Sequence, residues 1–293
     1  MSNAVIEIKN LAKFYGKQKG IENVDFRVNE GEIFGFIGPN GAGKSTTIRI
    51  LLSLIRPTSG SATIFGKDCI LNASEIAVDI GYLSGEPSYY ENMRVSEFLE
   101  YAAELYGKKN NKKIQELSER LNLDLNRKIE DLSLGNKKKV GIVAALLHSP
   151  KLLILDEPTS GLDPLMQQTF FEILKEENQK GTTILFSSHV LSEVQKICDR
   201  VAILKEGRII GIQSIGDLRR NGYKKVSLLT ESEFKEGLFD FVGVADLKVS
   251  KKTASFIYMG GAGDLLERLN TLRVADVFIE EPTLEEIFLH YYK

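Results

Sequence analysis

The stretch GPNGAGKST at 38–46 constrains the fold of this 293-residue chain more than any other segment. It fits the pattern G-x-x-x-x-G-K-[ST], and it lies between an apolar strand-like run and the helix-period run STTIRILLSLI, which is the context that this pattern requires. Glycines at 38, 41 and 43 let backbone N–H groups turn towards a phosphate at a helix N-terminus. The sequence therefore predicts a phosphate-binding loop, against the alternative of a glycine-rich connector with a chance lysine.

The side chains of this loop predict a nucleotide with a bound metal ion. Lys44 supplies a point charge to the β- and γ-phosphates, and the Ser45 hydroxyl is placed for Mg²⁺. The residues expected to bind the nucleotide are Gly38, Pro39, Asn40, Gly41, Ala42, Gly43, Lys44, Ser45 and Thr46.

The second half of the predicted site is LLILDE at 152–157, an apolar run of the kind that is buried on both faces of a parallel sheet, ending in two carboxylates. Asp156 brings a carboxylate next to the loop, where it can hold Mg²⁺ through water. Glu157 is positioned to accept a proton from the attacking water, or to orient it. An Asp-Glu pair at a strand end is by itself more often a solvated turn, but the phosphate-binding loop favours the functional interpretation.

Five motifs follow one another along the chain: the phosphate-binding loop, LSLGN at 132–136, LLILDE, SGLD at 160–163 and SSH at 187–189. In this order they resemble the nucleotide-binding subunit of an ATP-binding cassette (ABC) transporter, over residues 4 to about 217. The resemblance implies ATP hydrolysis, with ATP and Mg²⁺ as cofactors.

The same resemblance implies roles for three further residues. Tyr15 stacks on adenine, Asp163 crosses a dimer interface, and His189 contacts the γ-phosphate. The structural alternatives are side-chain packing for Tyr15, a helix N-cap for Asp163 and a core position for His189. With these additions, the predicted catalytic residues are Lys44, Glu157, Asp163 and His189.

The motif at 132–136 departs mildly from the family's usual Leu-Ser-Gly-Gly-Gln, whose serine and second glycine touch the γ-phosphate bound by the opposite subunit. Ser133 and Gly135 stand at those two places, while Leu134 and Asn136 replace Gly and Gln. Ser-x-Gly keeps the hydroxyl, the close backbone approach and the helix N-terminus that bind an anion. We therefore expect a phosphate clamp that acts in trans. The lysines at 137–139 add positive charge nearby, and they also fit a solvated helix face.

A larger departure occurs at IGYLSGEP, 80–87, where the family usually has a glutamine that approaches Mg²⁺ and the attacking water. Gly85 stands there, followed by Glu86. Either Glu86 substitutes as a metal ligand, or metal contact is left to Ser45, Asp156 and water.

The remaining pattern predicts an α/β fold: a P-loop NTPase core with an antiparallel β subdomain, a helical insertion and a small C-terminal α+β appendage. Apolar alternation at 5–15 and over VDFRVNEGEIFGFIG, 24–38, predicts one strand in each segment. Helix-period runs fill about 87–147, and strands and helices alternate again to about 217. The expected domains are therefore an ATPase domain at 4–217 and an accessory domain at 221–293.

Net charge, cysteine content and the length of apolar runs indicate the partners and the location of this protein. A net charge of −2 gives no reason to expect nucleic acid. Cys69 and Cys198 are too few for a disulfide framework and fit a reducing compartment. The longest apolar run is far too short to span a membrane, so we expect a cytoplasmic protein, peripheral at the inner face of the cell membrane.

We expect this protein to pair with a second ATPase subunit, in a homodimer, and to power separate transmembrane permease subunits. The ending EEPTLEEIFLHYY at 280–292 resembles the tail of cassettes that serve export-type permeases. The alternatives are a soluble cassette ATPase that acts on nucleic acid or ribosomes, and a regulatory ATP-binding protein of low turnover.

Overall fold

The computed structural model describes residues 4–107, 110–220, 223–230, 239, 242–270, 274–280 and 282. The chain divides into two compact units, residues 1–212 and 213–293. This division lies a few residues before the predicted end of the ATPase domain at 217. The export-type tail at 280–292 falls almost wholly outside the described residues.

The first unit alternates strands and helices, as its sequence periodicity predicts. Its strands are β1 (Ala4–Tyr15), β2 (Gln18–Asn29), β3 (Ile33–Ile37), β4 (Ser59–Ile64), β5 (Lys67–Asp68), β6 (Ile80–Leu83), β7 (Leu152–Asp156), β8 (Thr183–Ser188), β9 (Arg200–Lys205) and β10 (Arg208–Ser214). Its helices are α1 (Lys44–Leu51), α2 (Ala73–Ala77), α3 (Val95–Leu105), α4 (Asn111–Arg120), α5 (Leu134–Leu146), α6 (Pro164–Gln179) and α7 (Leu191–Ile197).

Two sheets form the framework of this unit. An antiparallel sheet has the order β2-β1-β4-β5, and a second sheet has the order β10-β9-β3-β8-β7-β6. In the second sheet β6, β7, β8, β3 and β9 run parallel, so the carboxyl ends of these strands meet at one edge. The α/β fold with an antiparallel β subdomain is thereby confirmed. Helices α3, α4 and α5 lie between β6 and β7 in the chain and pack on one another.

The prediction of one strand over 24–38 was wrong. The chain turns at Gly31, whose φ is 70°, and the N–H of Glu32 donates to the carbonyl of Asn29 across the turn (3.2 Å). β2 therefore ends in the antiparallel sheet, whereas β3 enters the parallel sheet. Both halves are apolar because one hydrophobic core lies between the two sheets: Phe26 on β2 stacks on Phe34 of β3, with ring centroids 5.3 Å apart.

The second unit is a small α+β structure. Its elements are α8 (Ile215–Arg220), β11 (Tyr223–Thr230), β12 (Val244–Ser250), β13 (Thr253–Met259), α9 (Ala262–Asn270) and β14 (Val274–Glu280). The strands form an antiparallel sheet of order β12-β13-β11-β14. Leu265 and Leu269 of α9 pack with Phe256 of β13 in its core.

Among the helices of the described residues, none has the length and apolar character that a membrane crossing requires.

Candidate functional site

The phosphate-binding loop connects the end of β3 with the start of α1. Gly41 and Gly43 have φ values of 79° and 107°, a region that side chains other than glycine rarely adopt. A Cβ on Gly38 would lie 2.4 Å from the carbonyl oxygen of Leu204, and one on Gly43 would lie 2.4 Å from Cγ2 of Ile21. The loop therefore needs these glycines to fold. Within the described chain no side chain caps α1, which leaves its N-terminus suited to an anion.

Lys44, the first residue of α1, joins the loop to the end of β7. Its Nζ donates to the carbonyl oxygens of Gly38 (2.7 Å) and Pro39 (3.3 Å). The same atom lies 3.1 Å from Oε1 of Glu157. The side chain is 5% exposed, so its charge is held between the loop and the end of β7.

Asp156 ends β7, at the edge where the carboxyl ends of the parallel strands meet. It is buried, and Oγ of Ser187 on the neighbouring strand β8 donates to its Oδ1 (2.7 Å). A Cβ on Gly85 would lie 3.8 Å from the other oxygen, Oδ2. Asp156 is thus fixed by one oxygen and presents the second towards the Gly85 loop. Ser187, which the sequence analysis did not single out, could have been found from its place in the SSH motif.

Glu157 has a left-handed backbone, with a φ of 47°; this region costs roughly 1–2 kcal/mol for a residue with a Cβ. Its N–H donates to the carbonyl of Ser187 (3.2 Å). Oε2 accepts a hydrogen bond from Nδ1 of His189 (2.7 Å). Oε1 is buried without a hydrogen-bond partner among the described residues, although the ammonium of Lys44 is close. A strained backbone and a buried carboxylate oxygen that has an ion pair but no aligned hydrogen bond are typical of a functional site.

His189 follows β8 and is about half exposed, so it does not occupy the core position that was the alternative interpretation. A carboxylate oxygen only accepts, so Nδ1 carries the hydrogen that binds Glu157 and Nε2 is left for another partner.

Ser133 and Asp163 are exposed helix N-caps. Oγ of Ser133 accepts from the N–H of Asn136 at the start of α5 (3.3 Å), and Oδ1 of Asp163 accepts from the N–H of Met166 at the start of α6 (3.0 Å). Gly135 lies against the loop that precedes α6, where an added Cβ would be 2.4 Å from the carbonyl oxygen of Gly161. Among the described contacts, none joins Ser133 or Gly135 to the phosphate-binding loop of the same chain.

Tyr15 and Glu86 are both accessible. The ring of Tyr15 is 46% exposed at the end of β1, and Nζ of Lys13 lies 5.3 Å from its centroid. Tyr15 is therefore free to stack on a planar base. Glu86 is exposed in the loop after β6, where its backbone carbonyl accepts from Oγ of Ser84 (3.2 Å). Metal binding by Glu86 stays a prediction.

The solvated-face interpretation of lysines 137–139 was wrong for two of the three residues. Lys137 is partly exposed and its Nζ lies 3.1 Å from Oε1 of Glu91, but Lys138 and Lys139 are buried. Nζ of Lys138 donates to the carbonyl oxygens of Ser84 (3.0 Å), Gly85 (2.8 Å) and Glu157 (3.2 Å). Sequence reasoning missed this residue, although an apolar run on every side of α5 was a signal that its lysines lie inside.

The fold and this edge of the sheet define the class of protein: a P-loop nucleotide-binding cassette. Its phosphate-binding loop follows β3, and Asp156 and Glu157 lie at the end of β7, with β8 between the two strands.

Comparison with known proteins then identifies the family. The family model described as ABC transporter matches residues 21–160. The bacitracin transport ATP-binding protein BcrA of Bacillus licheniformis is 36% identical, over 98% of this chain and 97% of its own length. The chain belongs to the ABC transporter family as an ATP-binding subunit, and it is an ATPase.

Solved structures agree with this assignment. One described as the structure of the ATP-binding subunit of an ABC transporter superimposes with a TM-score of 0.69 at 35% identity, over 74% of this chain and 92% of its own. Another, the dimeric structure of MJ0796, a bacterial ABC transporter cassette, has a TM-score of 0.67 at 25% identity, over 72% and 98% of the two chains.

Proposed function

We propose that two copies of this chain close around two ATP·Mg²⁺ and thereby drive export through separate membrane permease subunits. The observation that carries the proposal is the separation of the site into two parts within one chain. Lys44, Asp156, Glu157 and His189 lie together, whereas Ser133 and Gly135 make no described contact with the phosphate-binding loop.

The residues present fit ATP and Mg²⁺. The glycine loop offers backbone amides at an uncapped helix N-terminus, and Lys44 can turn its ammonium from Glu157 to the β- and γ-phosphates. Among the described residues no three acidic, histidine or cysteine side chains cluster into a metal cage. Mg²⁺ usually binds through one or two protein ligands, waters and substrate phosphates, so Ser45 and Asp156 suffice to hold it. When bound, the metal ion would neutralise charge on the phosphates.

The carboxylate of Glu157 accepts the proton of the attacking water. Its buried Oε1 lies 3.1 Å from the ammonium of Lys44, and once that ammonium has turned to the phosphates the carboxylate can accept a water proton. His189 holds Oε2 at 2.7 Å, which fixes the carboxylate, and its Nε2 would then be the atom that contacts the γ-phosphate.

The clamp in trans follows from the exposure of Ser133. Its hydroxyl stands at the N-terminus of α5, where the helix dipole and N–H groups favour an anion. The γ-phosphate held by another copy supplies such an anion. The dimeric cassette among the similar structures supports this arrangement.

Export is the direction suggested by BcrA, whose name assigns it to bacitracin transport. A transport ATP-binding protein acts on a membrane partner, so we place this chain at the cytoplasmic face of the cell membrane, bound to its permease. The choice of the exported substrate is therefore a property of that permease.

The dimer is tested with the Glu157→Gln protein in ATP and Mg²⁺, measured by size-exclusion chromatography with light scattering. Because hydrolysis is blocked while binding is kept, we expect a stable dimer, and a monomer when Ser133→Arg is added. The Lys44→Ala protein, which lacks the phosphate ligand, is the monomeric control. A Glu157→Gln protein that stays monomeric at saturating ATP would contradict the proposal.

A further inference from the structure

Lys138 is the most completely buried charged residue of the described chain. Its side chain is 0% exposed, and its ammonium donates to three backbone carbonyls, of Ser84, Gly85 and Glu157. An ammonium has three N–H donors, so the set of partners is complete.

A charge in this position is costly to keep. Burial lowers the pKa of Lys138, while the negative charges of Asp156 and Glu157 act in the opposite direction. Neither carboxylate lies within ion-pair distance of its Nζ in the described structure. A buried ammonium without a direct counter-ion carries a large desolvation cost, so its hydrogen bonds to the three carbonyls must offset that cost.

The three carbonyls belong to different parts of the site. Ser84 and Gly85 lie in the loop that leads from β6 into the helical insertion, and Glu157 follows β7. Lys138 itself lies on α5, whose N-cap is Ser133. One ammonium thus ties together the clamp helix, the entry to the helical insertion and the backbone of Glu157.

The left-handed backbone of Glu157 is strained, so it needs hydrogen bonds that hold it in place. Its N–H is held by Ser187 and its carbonyl by Lys138, so its peptide groups are fixed on both sides. The direction of its carboxylate depends on this backbone. A displaced carbonyl would turn Oε1 away from the water that it must deprotonate.

We propose that Lys138 is a positioning residue that fixes the backbone of Glu157 for hydrolysis and links it to the Gly85 loop. This inference rests on the proposed role of Glu157. Movement of the helical insertion at the Gly85 loop is then transmitted to Glu157 through a single side chain, which couples the permease-facing region to hydrolysis.

The test compares Lys138→Met and Lys138→Gln with the parent chain. Methionine keeps the size of the side chain and removes all three donors, so we expect kcat to fall by about 10–100-fold, the effect of misplacing a reacting group by about 1 Å. Glutamine keeps an amide donor, so its loss should be smaller. The dissociation constant for ATP should stay within about twofold in both, because Lys138 does not touch the phosphate loop.

The control is Lys113→Met. Lys113 is largely buried on α4 and donates to Glu177 (3.3 Å) and Ser149 (3.1 Å), outside the site. Its loss should lower thermal stability and leave kcat unchanged, which separates a structural role from a positioning role.

A double substitution, Lys138→Met with Glu157→Gln, tests whether Lys138 acts through Glu157. If Lys138 acts through Glu157, adding Lys138→Met to Glu157→Gln should not lower the residual single-turnover rate further. Should the methionine protein fail to fold, Lys138→Gln serves in both arms. Parental kcat in the folded Lys138 variants, or losses that add to that of Glu157→Gln, would overturn the inference. Parental hydrolysis by Glu157→Gln alone would instead refute the proposed function.

Discussion

Nζ of Lys44 lies 3.1 Å from Oε1 of Glu157, although no hydrogen bond joins them. The ammonium of Lys44 thus balances the charge of the Glu157 carboxylate. In the proposed function, ATP draws this ammonium to its phosphates, which leaves Oε1 to accept a proton. Nucleotide binding and the ability of Glu157 to accept a proton are therefore connected through the ammonium of Lys44.

Replacing Glu157 with glutamine tests the role of its carboxylate. The amide keeps the shape of the side chain but has little basicity, so hydrolysis should fall by at least about 10²-fold, the low end of general-base effects. ATP binding should persist, as measured by fluorescence of a nucleotide analogue. Phosphate release within about twofold of the parent would refute this role.

Gly135 should be intolerant of a side chain for a reason within its own chain. A Cβ would lie 2.4 Å from the carbonyl oxygen of Gly161, and overpacking of this kind costs about 1–3 kcal/mol. For a unit of this size, Gly135→Ala should lower the Tm by roughly 2–12 °C. The matched control is Gly211→Ala, since that glycine has open space around it. Equal Tm values for the two proteins would contradict the packing.

The exposed aromatic pair on the helical insertion is the expected permease contact. Tyr90 is 60% exposed and meets the ring of Tyr101 edge-on, with centroids 6.0 Å apart. Tyr89, its neighbour in the chain, packs inward against Phe98 and Gly141, and burial raises its pKa.

Tyr90→Glu should weaken retention on membranes of the source cell by at least about tenfold, equivalent to about 1.4 kcal/mol. Basal ATPase activity should stay within about twofold, because Tyr90 lies outside the nucleotide site. Tyr89→Phe is the control for a buried neighbour. Full membrane retention of Tyr90→Glu would remove this assignment.

The sequence predicts most of the phosphate site because its determinants are local. The glycine loop sits between one strand and one helix, and Asp156 ends a buried strand that Glu157 directly follows. The role of Lys138 depends instead on three carbonyls that lie far from it in sequence, and no local pattern encodes that placement. The division of 24–38 into two strands likewise depends on a turn at Gly31 and on membership of two different sheets.

The central claim is that each catalytic centre takes its clamp from another copy. In a mixed dimer of Ser133→Arg and Lys44→Ala chains, one site receives an intact phosphate loop and an intact clamp, while the other site receives both defects. Either variant alone should be inactive. Mixed dimers are obtained by co-expressing the two chains with different tags and purifying on both tags in ATP.

The most direct measurement is the ATP hydrolysis rate of those mixed dimers. Since one of two equivalent sites is intact, we expect roughly half of the parental rate per dimer. Parental activity in Ser133→Arg alone, or mixed dimers as inactive as the separate variants, would contradict the clamp in trans.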